Sequence, residues 1–201
     1  MKHYIIRDLS FDKLPEVNEL LSKRTLIVGD VGSGKTRLTM FLIQFLMKLG
    51  LSQFISILDF APDLMILGSK KVGGKLIDFN LDATAVKNYY TSTFYAPRLM
   101  GKSEEEVLRY ASENRFECER LLHAFLSHPT SILIINDITI YYQIGDLGLL
   151  NDVLTSVDTF IANGYYGTTI KDKFGNDVSL NESTMTMKLM DLMDVVISLE
   201  R

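Results

Sequence analysis

The strongest constraint on this chain is an eight-residue stretch, Gly29-Asp30-Val31-Gly32-Ser33-Gly34-Lys35-Thr36, which fits G-x-x-x-x-G-K-[ST] at every fixed position. Its flanks matter as much as its spacing. Thr25-Leu26-Ile27-Val28 before it is a short β-rich run, and residues 35–49 after it form an apolar helical run stopped by Gly50. A loop of this kind needs a strand to launch it and a helix N-terminus to close it, because the free amides and dipole of that terminus attract an anion. Gly32 and Gly34 let the backbone curl so that its amides face inward; a side chain there would block the approach or oppose the required dihedrals. The stretch is therefore expected to cradle a polyphosphate along its whole length. Lys35 would reach the outer phosphates and the Thr36 hydroxyl would join the shell of a Mg²⁺ ion. The competing explanation is a chance glycine-rich turn, which would have to match every fixed position and both flanks.

At 201 residues the chain is long enough for one sizeable core and short for two, so residues 1–201 are read as a single nucleotide-binding domain. The net charge of −4 gives no whole-surface field favouring nucleic acid. A single cysteine, Cys118, leaves no intramolecular disulfide and no cysteine metal cluster, and with no signal peptide recognisable this points to the cytoplasm. The longest apolar run, residues 38–47, is interrupted by Gln44 and is far short of the ~20 residues that span a bilayer.

Along the chain, strands are expected at residues 4–6, 54–59, 91–95, 131–135, 168–170 and 194–199, besides the run before the loop. Helices are expected at 15–23, 35–49, 82–90, 103–126, 147–161 and 182–193. Ser103 and Glu106 form a capping box at the start of the fourth of these. Strands alternating with helices predict an α/β fold, a three-layer sandwich around a mainly parallel sheet.

Ile132-Leu133-Ile134-Ile135-Asn136-Asp137 resembles the Walker B strand of P-loop nucleoside triphosphatases, and with the loop this makes the chain similar to that superfamily. The resemblance implies the P-loop NTPase fold, with ATP and Mg²⁺ as cofactors. The register is open: either Asp137 is the metal-side carboxylate, or Asn136 holds that place and Asp137 stands where many members carry a catalytic glutamate. A one-residue slip turns a strand side chain to the opposite face, so the two differ physically. Asp137 is preferred, because Mg²⁺ favours an anionic shell.

The order of residues 41–45, Leu58-Asp59 and Met193-Asp194-Val195-Val196-Ile197 is similar to the RecA-like and KaiC-like branch. There, an acid at the end of the strand after the phosphate loop activates the attacking water. The resemblance implies that role for Asp59, against simple turn stabilisation. The site residues expected are thus Lys35, Asp59 and Asp137 for catalysis and Thr36 with Asp137 for the metal.

Other groups carry two readings each. Arg98 is a phosphate clamp or a surface arginine, and Lys70, Lys71 and Lys75 around Gly73-Gly74 bind phosphate or decorate a hairpin tip. Arg201 acts across a subunit boundary or is a mobile end, and Tyr141-Tyr142 and Tyr165-Tyr166 stack on a base or pack in the core. No N-K-x-D guanine-reading motif is present, which favours adenine. The resulting expectation is a Mg-dependent ATPase acting as a molecular switch or motor subunit on a protein partner or a second copy of itself. A small-molecule kinase and a non-hydrolysing nucleotide-sensing regulator are the alternatives.

Overall fold

The computed structural model describes residues 1–7, 14–67, 70–175 and 177–200, with the side chains of residues 67, 70 and 71 outside the description. Its frame is set by runs of β-branched and leucine residues long enough for a strand and buried on both faces. The strands are β1 (Lys2–Ile6), β2 (Arg24–Gly29), β3 (Ile55–Asp59), the hairpin pair β4 (Met65–Leu67) and β5 (Lys70–Val72), then β6 (Asn88–Thr91), β7 (Ile132–Asn136), β8 (Thr159–Tyr165) and β9 (Val195–Leu199). Seven of them form one sheet in the order β1-β9-β2-β8-β7-β3-β6, every neighbouring pair parallel. The strand ends carrying Gly29, Asp59 and Asn136 consequently share one edge.

Alternation along the strands separates two cores. Leu26, Val28, Leu133, Ile135 and Phe160 face one side, under α3 (Glu104–Ser127), α4 (Gly148–Thr155) and α5 (Val178–Asp191). Ile27, Ile57, Ile132, Ile134 and Ile161 face the other, under α1 (Lys35–Lys48). The short α2 (Pro97–Met100) precedes α3. This is the three-layer α/β sandwich with a parallel central sheet that the alternating pattern predicts. Among the described residues, no helix is long and apolar enough to cross a membrane.

Five expected elements differ. Residues 15–23 form only a 3₁₀ turn, Val17–Leu20, because Leu21 is extended and Ser22 takes a positive φ of 55° before the chain enters β2. Residues 82–90 do not form a helix. The Asp82 carboxylate caps a 3₁₀ turn at Ala83–Ala85, and the half-buried Tyr89 and Tyr90 belong to the edge strand β6, which begins three residues before the expected 91–95 strand. The expected 147–161 helix stops at Thr155. Its last part is the central strand β8, in which Phe160 and Ala162 face one core and Ile161 the other. Leu150, Val153, Leu154, Val157, Phe160 and Ile161 also satisfy helical spacing, which is how a strand start hides behind a helix end. Residues 168–170 are loop. At α3 the Ser103 Oγ accepts from the Glu106 amide at 3.2 Å, while Glu106 Oε2 accepts from the Lys102 amide at 2.8 Å, one residue before the expected partner.

Candidate nucleotide-binding site

β2 runs straight into the glycine-rich loop, and α1 begins at Lys35. Gly32 and Gly34 both take positive φ, 69° and 97°, a backbone that L side chains resist. The curled loop borders a cavity of about 250 Å³ whose wall includes Lys35, Thr36, Asn136, Asp137, Asn163 and Tyr165. The Ser33 hydroxyl oxygen is buried, with no hydrogen-bond partner among the described residues. Lys35 Nζ donates to the carbonyl oxygens of Gly29 and Asp30, each at 2.9 Å. Burial pushes its pKa down to about 8, against the pull of the charges on Asp137, Asp30 and Glu182. Asp30 ties the loop to its neighbour: its Oδ1 accepts from the Val31 amide at 2.6 Å and its Oδ2 from the Thr168 amide at 3.1 Å. Burial alone would raise the Asp30 pKa, but these donors outweigh it and hold the carboxyl below its ordinary value.

Three carboxylate and amide side chains decide what happens beyond the loop. Asp59 is fully buried, and its carboxylate takes four donors: the Leu76 amide at 2.6 Å, the Tyr89 hydroxyl at 2.6 Å, Asn136 Nδ2 at 2.8 Å and the Ala61 amide at 3.3 Å. Burial nevertheless raises its pKa, against those bonds. Asn136 faces the α1 side with Ile132 and Ile134, and its Oδ1 accepts from Asn163 Nδ2 at 2.8 Å. The same Asn163 nitrogen donates to Thr39 Oγ1 at 2.9 Å, and Thr39 donates to the Lys35 carbonyl at 3.1 Å. A polar chain thus joins the ends of β3, β7 and β8 to the first turn of α1. Asp137 leaves this chain, since its backbone is left-handed (φ 57°, ψ 53°). Its Oδ1 accepts from the Thr139 hydroxyl at 2.8 Å, and its amide donates to Asn163 Oδ1 at 3.1 Å. Burial raises its pKa, opposed by the Thr139 bond and by the charges of Lys35 and Arg98.

Lys35, Thr36 and Asp137 therefore border one cavity, and Asp59 stands behind Asn136, off the cavity wall. A polyphosphate fits the curled loop and the Lys35 ammonium, whose hydrogen bonds go to the loop carbonyls of Gly29 and Asp30. Among the described residues no group of three His, Cys, Asp or Glu side chains is placed to hold a metal ion. The Thr36 hydroxyl and Asp137 carboxylate instead suit Mg²⁺, which takes one or two protein oxygens together with phosphate oxygens and water.

Arg98 is neither a loop residue nor a surface arginine. It sits on α2, and its Nη2 donates to Glu182 Oε1 and its Nη1 to Ser179 Oγ, both at 2.6 Å, with both members of the ion pair buried. Its guanidinium lies 5.5 Å from the centre of the Tyr165 ring, which Lys35 Nζ also approaches, at 6.0 Å. Burial lifts Glu182 to a pKa of about 7, against the pull of Arg98 and a bond from Gln143. The Gly73-Gly74 pair is not at the hairpin tip. It follows β5 and lies along the same cavity with Val72 and Phe79, held by the Gly74 amide to the Pro62 carbonyl at 2.8 Å. Lys75 is ion-paired with Asp63. Tyr141 and Tyr142 are core residues, whereas Tyr165 is on the cavity wall. Gly68, Ser69, Asn176 and Arg201 lie outside the described residues, as do the side chains of Lys70 and Lys71.

Asn163, Gln143 and Glu182 are site residues that sequence reasoning missed. For Asn163 the available signal was period two from Thr159 through Ile161. For Gln143 and Glu182 no local signal exists, because one follows a 3₁₀ turn and the other lies inside a helix.

No family model matches the chain, and no curated protein matches it. Among solved structures it is similar to the Pif1 helicase from Candida albicans, at 15% identity and a TM-score of 0.37 over 92% of this chain. The likeness covers 37% of the helicase chain, so this chain spans little more than a third of that protein's length.

Proposed function

We propose that this chain binds ATP with Mg²⁺ and hydrolyses it, as a single P-loop domain working in the cytoplasm as a molecular switch or motor subunit. One observation carries the reading: the curled glycine loop, through Val31, Gly32 and Gly34, borders the same cavity as Lys35, Thr36 and Asp137. Residues 29–36 hold the phosphates, Lys35 neutralises the outer ones, and Thr36 with Asp137 takes the metal. Asp137 is preferred to Asn136 for this because both polar ends of the Asn136 amide are already bonded, to Asp59 and Asn163. Catalysis on such a site is positioning and electrostatic stabilisation rather than covalent chemistry.

The resemblance to the RecA-like and KaiC-like branch implies a water-activating role for Asp59. Its four donors favour a positioning role through Asn136 over direct contact with water. The same saturation favours the second reading, a nucleotide-sensing regulator without turnover. A route from cavity to surface is available in the Val72-Gly73-Gly74 segment. It borders the phosphates and continues into the β4–β5 hairpin, where Ile66 is 77% exposed. A protein partner or a second copy of the chain, rather than nucleic acid, suits the acidic balance.

The deciding experiment measures nucleotide affinity and phosphate release for the wild type, Lys35→Ala and Asp137→Asn over a Mg²⁺ titration. Lys35→Ala should lose triphosphate binding by at least about 100-fold, and Asp137→Asn should shift the metal requirement. Unchanged affinity in the first variant would refute the site; tight binding without release in the wild type would establish the regulator.

A further inference from the structure

We infer that Gln143 orients the attacking water, and that this water reaches the outer phosphate from a compartment between α2, the 138–140 turn and α5, not from the Asp59 side. The inference rests on the ATPase reading. The compartment has a volume of about 50 Å³ and shares Val72, Gly73, Asp137, Tyr165 and Ile170 with the phosphate cavity, so the two adjoin. Gln143 is on its wall and only 4% exposed. Its Nε2 donates to Glu182 Oε2 at 3.1 Å, which fixes the amide orientation and assigns Oε1 as the acceptor. That oxygen is buried and has no hydrogen-bond partner among the described residues. A buried carbonyl oxygen without a donor is costly and uncommon in a folded chain. A water O–H would satisfy it once a small turn of the side chain presents the oxygen to the adjoining space.

A water molecule needs roughly 10–15 Å³ by the same measure and two to four polar partners. The compartment therefore has room for a water beside the larger cavity. Asp137 borders both spaces as a second acceptor, and Arg98, on the same wall, places positive charge beside the phosphate that is attacked. Asp59 is on the wall of neither space, and its carboxylate is bonded by four donors.

In the step, the water oxygen bonds to the outer phosphorus while the bond from that phosphorus to the bridging oxygen breaks. The electron pair leaves on the diphosphate. One water proton stays on the released phosphate and the other passes to solvent. The Gln143 amide gains and loses no proton; it aims a lone pair of the water by accepting one of its hydrogens.

The test uses the full chain, with Gln143→Ala and the near-isosteric Gln143→Met. Steady-state phosphate release from Mg-ATP should fall about 100-fold in both, with ATP affinity held within about threefold. Affinity for Mg-ADP with aluminium fluoride, which mimics the transition state and recruits the in-line water, should fall in parallel. Affinity for Mg-ADP with beryllium fluoride, a ground-state mimic, should not. A residue of merely structural importance would weaken both complexes, and that result overturns the inference. So does release within about threefold of the wild type, which leaves the ATPase reading standing. A wild type that binds ATP and releases no phosphate overturns both.

Discussion

Replacing Asp59 by asparagine keeps size and shape and exchanges one acceptor oxygen for an NH₂ donor, so it asks directly whether this carboxylate is a scaffold or a catalyst. Each oxygen of Asp59 takes two donors: Leu76 N and Tyr89 Oη on one, Asn136 Nδ2 and Ala61 N on the other. Whichever way the amide turns, two donors face an NH₂ group. A buried donor left without an acceptor costs about 1–3 kcal/mol, giving about 2–6 kcal/mol for the pair. The neutral amide recovers part of the penalty for burying a charge, the same penalty that lifts the Asp59 pKa, so the lower half of that range is expected. Against a typical total of 5–15 kcal/mol, a loss of about 2–4 kcal/mol is large. Urea unfolding followed by circular dichroism reads it as a lowered midpoint with little change in slope. Lys35 and Thr36 are held by other groups, so nucleotide affinity near neutral pH should survive in the folded fraction. The reasoning fails if Asp59→Asn unfolds at the wild-type midpoint while phosphate release is abolished, since Asp59 would then act on the reaction and not on the frame.

Two further outcomes follow from the charged groups. Lys35 has its pKa lowered to about 8, so its ammonium is lost as pH rises through that value; ATP affinity should hold below pH 8 and weaken by up to about tenfold per pH unit above it. A titration of binding from pH 7 to 9.5 that stays flat would show that Lys35 keeps its proton or does not meet the phosphates. Arg98→Ala leaves Glu182 buried without its cation, for a loss of about 3–5 kcal/mol where Glu182 is ionised. Because the Glu182 pKa is already raised to about 7, and would rise further without Arg98, the neutral acid predominates at low pH, and the deficit should shrink on going from pH 8 to pH 5.5. Equal deficits at both pH values, read from urea midpoints, would mean that packing and not charge explains the variant.

Much of the fold was legible in the chain because its signals are local. The 29–36 loop, the apolar run of β7, the capped α3 and the last strand each depend on residues adjacent in sequence. β8 was not legible, because Phe160 and Ile161 continue the helical spacing of α4, and only pairing with β2 and β7 makes residues 159–165 extended. Asn163 was lost with it, and so was the polar chain from Asp59 to Thr39. The buried state of Arg98 was hidden for a similar reason: a proline-flanked arginine has the local character of a surface group, and its acid lies 84 residues away on α5.

The sequence by itself determined that a glycine-rich loop joins a strand to a helix, and that Lys35 and Thr36 head that helix. Spacing along one continuous backbone is enough for that. Tertiary structure alone decided the fate of the acids. It turned Asp59 toward four donors, set Asp137 on the cavity wall through a left-handed residue, and brought Gln143, Arg98 and Glu182 to a space beside it. Those outcomes depend on which strand ends share the sheet edge and which helices cover it, and such contacts between distant residues leave no periodic trace in the chain.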